Sequence, residues 1–127
     1  MGETVNQFRV LLVEDEVLVS DMIAGALAEH GFEVHAVSNA KDALQHLSCG
    51  APCDVLFTDV NLAGRVDGTA LAQVARRLRP ELAVIYTSGT VAGIDPAAAV
   101  TGSTFVSKPY DPEKVCALLQ RFVSAAL

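Results

Sequence analysis

Residues 8–16 of the chain read FRVLLVEDE, an apolar run that ends in the acidic pair Glu14 and Asp15. A short aliphatic run bounded by polar residues is typical of a strand buried in a parallel sheet. Three further runs end in a similar way. They are 55–58 before Asp59, 82–86 before Thr87 and 104–107 before Lys108. If these runs are parallel strands of one sheet, we expect three carboxylates, a hydroxyl and an ammonium group to meet at one edge.

The rest of the chain alternates such runs with segments of helical periodicity. The predicted strands lie at 8–13, 32–37, 54–58, 82–87 and 104–107. The predicted helices lie at 17–29, 39–47, 67–78 and 111–124, with a short, glycine-interrupted fourth helix at 97–100. This alternation predicts an α/β fold in which helices cover both faces of a parallel five-stranded sheet. Ligands of such sheets bind beyond the carboxyl ends of the strands, where the polar residues fall.

Residues that favour helix ends support these boundaries. Gly31 follows the first helix in the usual C-terminal cap position, and either Ser38 or Asn39 can cap the second helix. Asp67 can cap the third helix, and Pro112 stands at the first position of the last one.

Composition limits the classes of protein to consider. The 127 residues, 51% of them hydrophobic, predict a single domain over 1–127, with 1–7 as a loose N-terminal extension and no output domain. The formal charge of −6 argues against nucleic-acid binding, and we expect the basic cluster at 76–79 to be the solvated end of a helix. No apolar run is long enough to span a membrane and no signal peptide is evident, so we expect a cytoplasmic protein.

The three cysteines and three histidines do not stand at the spacing of a zinc site. We expect Cys116, in an apolar helical stretch, to be a core residue. Cys49 and Cys53 are expected to be an incidental pair in a loop. Surface or helix-end positions are expected for the histidines, which are His30, His35 and His46.

The acidic residues predicted at the sheet edge have the chemistry of a Mg²⁺ site. Mg²⁺ prefers oxygen ligands, usually one or two carboxylates together with water and phosphate oxygens. Glu14, Asp15 and Asp59 can supply the carboxylates, with Mn²⁺ as an alternative ion. Such a group of acids repels itself unless a cation is near. Lys108 is the obvious partial counter-charge, and we expect it to lie at the rim of the site.

An aspartate at the tip of a central strand can attack phosphorus as a nucleophile, which gives an aspartyl phosphate. The charge on the phosphoryl oxygens must then be neutralised or hydrogen-bonded. Lys108, the Thr87 hydroxyl and the main-chain N–H of Ser88 or Asn61 can do so alongside the metal. A carboxylate nucleophile needs no general base, so the lack of a nearby histidine is no objection.

These residues occur in five short motifs whose order along the chain is specific. The motifs are Val13-Glu14-Asp15-Glu16, Thr58-Asp59-Val60-Asn61, Asp67-Gly68, Thr87-Ser88-Gly89 and Ser107-Lys108-Pro109. With them the chain resembles the receiver domain of two-component response regulators along nearly its whole length. The resemblance implies a flavodoxin-like, three-layer (βα)5 fold with strand order 2-1-3-4-5.

The resemblance also implies a role for each site residue. Asp59 would be the phosphoacceptor, and the metal would be held by Asp59 together with Glu14, Asp15 and the Asn61 main-chain carbonyl. The phosphate would be contacted by Lys108 and Ser88. The hydroxyl that moves on phosphorylation would be that of Thr87, which also contacts the phosphate. Phe105 would be the aromatic residue that rotates inward after phosphorylation. As a phenylalanine it has no hydroxyl, so its signal would pass through packing alone.

Three features depart from the usual pattern of that family. Glu14 stands where Asp is more common. The loop 60–66 lacks the usual proline and is one residue longer than is usual in the family. The short fourth helix belongs to a surface that the family uses for output, which is made with the fifth strand and the fifth helix. The last two departures affect the expected signalling surface rather than the phosphorylation chemistry.

The sequence thus predicts a phosphoacceptor that takes a phosphoryl group from a histidine kinase or a histidine phosphotransfer protein and signals to another protein. We expect no enzymatic activity beyond self-catalysed phosphorylation and dephosphorylation. A dehalogenase-type phosphatase would have a second Asp at the position of Asn61. A stand-alone regulator, with weak homodimerisation possible, is the first interpretation. The alternatives are a receiver excised from a hybrid kinase or larger regulator, and an interaction module that works without phosphate.

Overall fold

The structure, a computed structural model, describes residues 8–62, 67–89 and 95–126. The predicted extension 1–7 lies outside the described residues. The strands are β1 (Arg9–Val13), β2 (Glu33–Val37), β3 (Val55–Asp59), β4 (Ala83–Ser88) and β5 (Thr104–Ser107). The described helices are α1 (Val17–Glu29), α2 (Ala40–Ser48), α3 (Gly68–Leu78) and α4 (Pro112–Ala126). None of these helices is long and apolar enough to cross a membrane.

The five strands form one parallel sheet in the order β2-β1-β3-β4-β5. This confirms the flavodoxin-like fold and the strand order predicted from the sequence. The inner strands β1, β3 and β4 are buried almost throughout, whereas the outer strands β2 and β5 alternate or lie open. Continuous apolar runs therefore mark the strands that are covered on both faces.

The capping residues read from the sequence occupy the helix ends. Asn39 caps α2, because its side-chain oxygen accepts a hydrogen bond of 2.8 Å from the main-chain N–H of Asp42. Asp67 caps α3 by accepting from the N–H of Ala70 at 2.9 Å. Gly31 has a φ of 89° just beyond α1, a backbone conformation that glycine adopts at no steric cost.

The prediction of a helix at 97–100 is wrong. The segment forms two separate turns, in which the N–H of Ala98 donates to Asp95 O at 2.9 Å and the N–H of Ser103 donates to Val100 O at 3.2 Å. The N–H of Val100 donates instead to the hydroxyl of Tyr86, on β4, at 3.1 Å. This contact anchors the turn to the sheet and takes a donor that a helix would need.

Two apolar clusters fill the space between the sheet and its helical layers. Leu11 and Val13 of β1 pack on the face covered by α2 and α3, and Val10 and Leu12 pack on the face covered by α1 and α4. This alternation follows from the two-residue period of a strand. Cys116 belongs to the second cluster and is buried, as predicted.

The basic cluster at 76–79 is not simply solvated. Arg77 is exposed, but the Arg79 guanidinium donates to the carbonyl oxygens of Leu47 and Ala51 at 2.9 and 2.6 Å. Arg76 donates to two further main-chain carbonyls at 3.0 and 2.9 Å. These arginines join the end of α3 to neighbouring loops at the amino end of the sheet, contacts that a local reading of charge does not reveal.

Candidate functional site

The register of the inner strands brings the predicted site residues together. Val13 of β1 pairs with Thr58 of β3, and Asp59 pairs with Thr87 of β4. Glu14 directly follows β1, where its N–H donates to Val37 O at 3.1 Å. The carboxyl ends of the three inner strands therefore lie side by side, as the sequence predicts.

Three carboxylates gather at this edge. Glu14, Asp15 and Asp59 each offer one oxygen, and these atoms all lie within 4.8 Å of one another. Glu14 is only 3% exposed and Asp59 only 7%, whereas Asp15 lies nearer the surface. A compact set of oxygen donors fits the ligand preference of Mg²⁺, which favours carboxylates and water over nitrogen or sulfur ligands.

Lys108 lies between the two buried carboxylates. Its Nζ is 2.8 Å from Glu14 Oε1 and 2.8 Å from Asp59 Oδ2, and 3.9 Å from Glu16 Oε1. The N–H of Lys108 donates to Ser88 O at 2.8 Å just after β5, which fixes where the side chain begins. The side chain is 17% exposed, so Lys108 is only partly buried, deeper than a solvated residue but outside the core.

Burial and pairing act in opposite directions on these charges. Burial raises the pKa of the Glu14 carboxyl, although the hydrogen bond from Lys108 acts against it. Burial alone would lower the pKa of Lys108, but its hydrogen bonds to Asp59 and Glu14 outweigh that effect and raise it. The ammonium therefore remains charged at neutral pH and offsets part of the negative charge of the carboxylates that it contacts.

The main chain after β3 holds the second oxygen of Asp59. The N–H of Asn61 donates to Asp59 Oδ1 at 3.1 Å, and the N–H of Val60 donates to Thr87 O at 2.8 Å. Both oxygens of Asp59 therefore accept hydrogen bonds, one from the main chain and one from Lys108. This arrangement orients the carboxylate at the end of the strand.

Thr87 and Ser88, the other predicted phosphate contacts, are buried at the end of β4. The Thr87 hydroxyl has no hydrogen-bond partner among the described residues. A buried hydroxyl without a partner is unfavourable, so its presence beside Asp59 is compatible with a group that it binds in another state. Ser88 lies next to it, where its carbonyl accepts from Lys108.

Phe105 pairs with Tyr86 in the register of β4 and β5, and its side chain is 37% exposed. It therefore lies at the sheet's outer edge, on the strand that Lys108 follows. An inward rotation of this ring stays a prediction.

Tyr110 is a neighbour of the site that the sequence reading missed. Its ring packs edge-on against Phe57, with 5.9 Å between the ring centroids, and its hydroxyl is buried with no partner among the described residues. Burial and the charge of Glu14 raise its pKa to about 12. Its position two residues after Lys108 was the available signal. Glu16, which approaches Lys108, was likewise not predicted as a site residue.

The sequence pattern of one family, described as the response regulator receiver domain, matches residues 10–120. The nitrogen assimilation regulatory protein NtrX of Azorhizobium caulinodans is 29% identical over 116 residues, which cover 88% of this chain and 25% of that protein. The chain thus spans about a quarter of the length of this relative.

Solved structures agree with the fold. A response regulator receiver protein from Sinorhizobium medicae superposes with a TM-score of 0.88 at 28% identity, covering 96% of this chain and 98% of that one. The receiver domain of the hybrid histidine kinase CckA superposes with a TM-score of 0.77 at 31% identity, covering 89% of this chain and 96% of that one.

Proposed function

Since the chain belongs to the response regulator receiver domain family, whose members are signalling domains, we propose that it accepts a phosphoryl group on Asp59. The observation that carries this proposal is the position of Lys108, whose Nζ contacts Asp59 and Glu14 at 2.8 Å each. The unpartnered Thr87 hydroxyl beside the same carboxylate supports it. A carboxylate, a cation and a free hydroxyl donor together match what phosphoryl transfer to an acid requires.

The proposed donor is a phosphohistidine of a histidine kinase or of a histidine phosphotransfer protein, the source from which receiver domains take phosphoryl groups. A carboxylate oxygen of Asp59 attacks phosphorus, and the new P–O bond forms as the P–N bond to the imidazole breaks. The electron pair of that bond stays on the imidazole nitrogen. The product on this chain is an aspartyl phosphate.

We propose that Glu14, Asp15, Asp59 and the main-chain carbonyl of Asn61 hold Mg²⁺, with Mn²⁺ as a substitute. The all-oxygen character of the acidic cluster and its surplus negative charge support this assignment. When bound, the ion supplies positive charge that offsets the acids and the phosphoryl oxygens.

The protein groups around Asp59 then have separate tasks. Lys108 remains paired with Glu14 while its contact to Asp59 Oδ2 is replaced by a contact to a phosphoryl oxygen. The Thr87 hydroxyl gains the acceptor that it lacks, and the Ser88 main chain donates a further hydrogen bond. These contacts exist only once the phosphoryl group is present, so they favour the phosphorylated conformation over the free one.

The proposed output is a change in a protein-binding surface next to Thr87. Phe105 on β5 is partly exposed and would rotate inward as Thr87 moves toward the phosphoryl group. The surface would comprise β5, α4 and the turn segment at 95–103, which replaces the predicted fourth helix. We propose that this surface binds a downstream protein partner. The chain would do so as a stand-alone protein, as a weak homodimer or as the receiver part of a longer protein like its relatives.

The test is direct phosphorylation of the purified chain. Incubation with Mg²⁺ and acetyl phosphate should add one phosphoryl group by intact mass, and the adduct should be lost with EDTA and absent from Asp59→Asn. Asp54→Asn is the matched control, because Asp54 precedes the same strand at its other end and Asn can still accept the N–H of Arg9. Labelling of Asp59→Asn would refute the assignment. No adduct on the folded wild-type chain would favour a module that acts without phosphate.

A further inference from the structure

The motif Asp67-Gly68 is the one sequence motif without a task in the proposed phosphorylation. Its aspartate is explained by the start of α3, since Oδ1 of Asp67 accepts from the N–H of Ala70 at 2.9 Å and from the hydroxyl of Thr69 at 2.8 Å. The glycine is not explained by helix capping. Its φ is not positive, so backbone conformation does not require glycine at this position.

Space is what requires glycine here. A Cβ on Gly68 would overlap the carbonyl oxygen of Asp59, and it would lie 2.9 Å from both the Asp59 carbonyl carbon and the Val60 Cα. All three atoms are main chain, so a side chain at position 68 can be accommodated only if α3 or the end of β3 shifts. Glycine lets the start of α3 lie directly against the main chain of the proposed phosphoacceptor.

This close approach closes the loop that follows β3. The N–H of Gly68 donates to Val60 O at 2.8 Å, and the N–H of Val60 donates to Thr87 O at 2.8 Å. Both main-chain polar groups of Val60 are therefore bonded, one to α3 and one to β4. The direction in which the chain leaves Val60 is fixed, and the next N–H, that of Asn61, is held on Asp59 Oδ1 at 3.1 Å.

From this chain of contacts we infer that Gly68 is a positioning residue for the phosphorylation site. By allowing the Gly68–Val60 hydrogen bond, it holds the peptide between Val60 and Asn61, whose N–H bonds to the Asp59 carboxylate. It thereby positions the start of the segment that carries the proposed metal-binding carbonyl of Asn61. The inference rests on the proposed function. It adds that the base of the loop, rather than its length, sets the geometry of the site. The extra residue that the family resemblance indicates in this loop is therefore compatible with the chemistry.

The first test is Gly68→Ala, with Gly25→Ala as its matched control. Gly25 lies within α1 with open space around its Cβ position, so its substitution tests the same chemical change without the overlap. We expect Gly68→Ala to lower the acetyl phosphate labelling rate, and to raise the Mg²⁺ Kd measured calorimetrically, by at least about tenfold each. These measurements are made where thermal unfolding shows the variant to be folded. Gly25→Ala should change both by less than about twofold.

A purely structural role predicts a different result. If Gly68→Ala lowers the unfolding temperature but leaves the labelling rate and the Mg²⁺ Kd of the folded molecules unchanged, the inference is overturned. Labelling of the wild-type chain separates this failure from failure of the proposed function, because a wild-type chain that takes no label removes the reaction altogether.

A second variant keeps the inference testable if Gly68→Ala does not fold. One glycine inserted after Gly64 lengthens the loop without touching its closing hydrogen bond. We expect the Mg²⁺ Kd and the labelling rate of this variant to stay within about twofold of wild type. A tenfold loss in the folded insertion variant would show that loop length reaches the site, which contradicts the inference.

Discussion

The two ends of the sheet treat polar groups in different ways. At the amino end, Asp54 accepts the N–H of Arg9 at 2.8 Å, and the Arg79 guanidinium donates to two main-chain carbonyls. At the carboxyl end lie all the buried polar residues in the described part of the chain. They are Glu14, Thr58, Asp59, Thr87 and Ser88.

The difference lies in how completely these groups are paired. The named contacts of the amino end pair a charged group with a main-chain donor or acceptor. At the carboxyl end one ammonium is shared by Glu14 and Asp59, beside which Asp15 also lies, and the hydroxyl of Thr87 has no described partner. Buried charge and unpaired hydroxyls are unfavourable, so the carboxyl end is less stable than it could be in the absence of a ligand. This is the end where we propose that the ion and the phosphoryl group bind.

The largest expected change in stability follows from removing the cation of the carboxyl end. In Lys108→Met the carboxylates of Glu14 and Asp59 lose their shared partner. Loss of one member of a buried ion pair costs roughly 3–5 kcal/mol, and partial exposure of Lys108 favours the lower figure. We expect the free energy of unfolding in EDTA, from urea denaturation, to fall by about 3 kcal/mol.

Lys114→Met is the control for that variant, because Lys114 is an exposed lysine of α4. It should change the free energy of unfolding by less than about 0.5 kcal/mol. Saturating Mg²⁺ should restore part of the stability lost in Lys108→Met, since a ligand that binds only the folded state stabilises it. Equal effects of the two substitutions would show that the ammonium does not compensate the acids.

The amino end should lose stability without loss of function. In Arg79→Met the carbonyls of Leu47 and Ala51 lose their donor, which should lower the free energy of unfolding by about 2 kcal/mol, the typical value for hydrogen bonds from a charged group. The labelling rate with acetyl phosphate should remain within about twofold of wild type. Exposed Arg77→Met is the control, and a tenfold loss of labelling in Arg79→Met would contradict the separation of the two ends.

A pair of buried threonines sharpens the comparison within the carboxyl end. Thr58 donates its hydroxyl to Asp59 O at 3.0 Å, whereas the Thr87 hydroxyl has no described partner. In the unphosphorylated protein, Thr58→Val should cost about 1 kcal/mol, and Thr87→Val should be neutral or stabilising by up to about 1 kcal/mol.

Phosphorylation should reverse the order of the two threonine variants. The gain in unfolding temperature on labelling should shrink in Thr87→Val, because valine cannot bind the phosphoryl group, and persist in Thr58→Val. Equal gains in both variants would mean that Thr87 does not contact the phosphoryl group.

The sequence predicted most of the fold because its signals are local. Apolar runs and capping residues such as Asn39 and Asp67 depend on near neighbours, and the structure has both caps as predicted. The helix at 97–100 failed for a nonlocal reason, since the N–H of Val100 bonds to the hydroxyl of Tyr86 on β4. No pattern within the segment itself indicates that contact.

The same difference between local and nonlocal signals applies to the residues of the site. The positions at which the apolar runs end predicted which residues meet, and Glu14, Asp15 and Asp59 do lie together. The depth of Lys108 and the contact of Gly68 with the Asp59 main chain depend on how α3 and β5 pack, so sequence spacing alone did not give them.

The smallest predicted effect concerns a stacked histidine pair near the amino end. The rings of His35 and His46 stack with 4.0 Å between centroids. Burial, then the charges of His35 and Arg79, lower the pKa of His46. The folded state therefore favours neutral His46, so its contribution to stability is complete above the ordinary histidine pKa and is lost as pH falls below it.

Unfolding measured from pH 7.5 to 5.5 should reveal this dependence. His46→Gln should flatten the fall in stability at low pH, by no more than about 0.5 kcal/mol, because His46 is only partly buried and solvent screens its charge. His30→Gln should act in the opposite direction. The hydrogen bond with Ala26 O and the charge of Glu113 outweigh desolvation and raise the pKa of His30, so its contribution is present below the ordinary histidine pKa and lost at higher pH. Parallel pH profiles for the two variants would contradict these opposite pKa shifts. Opposite changes would agree with a histidine that folding keeps neutral at position 46 and one that folding favours as a cation at position 30.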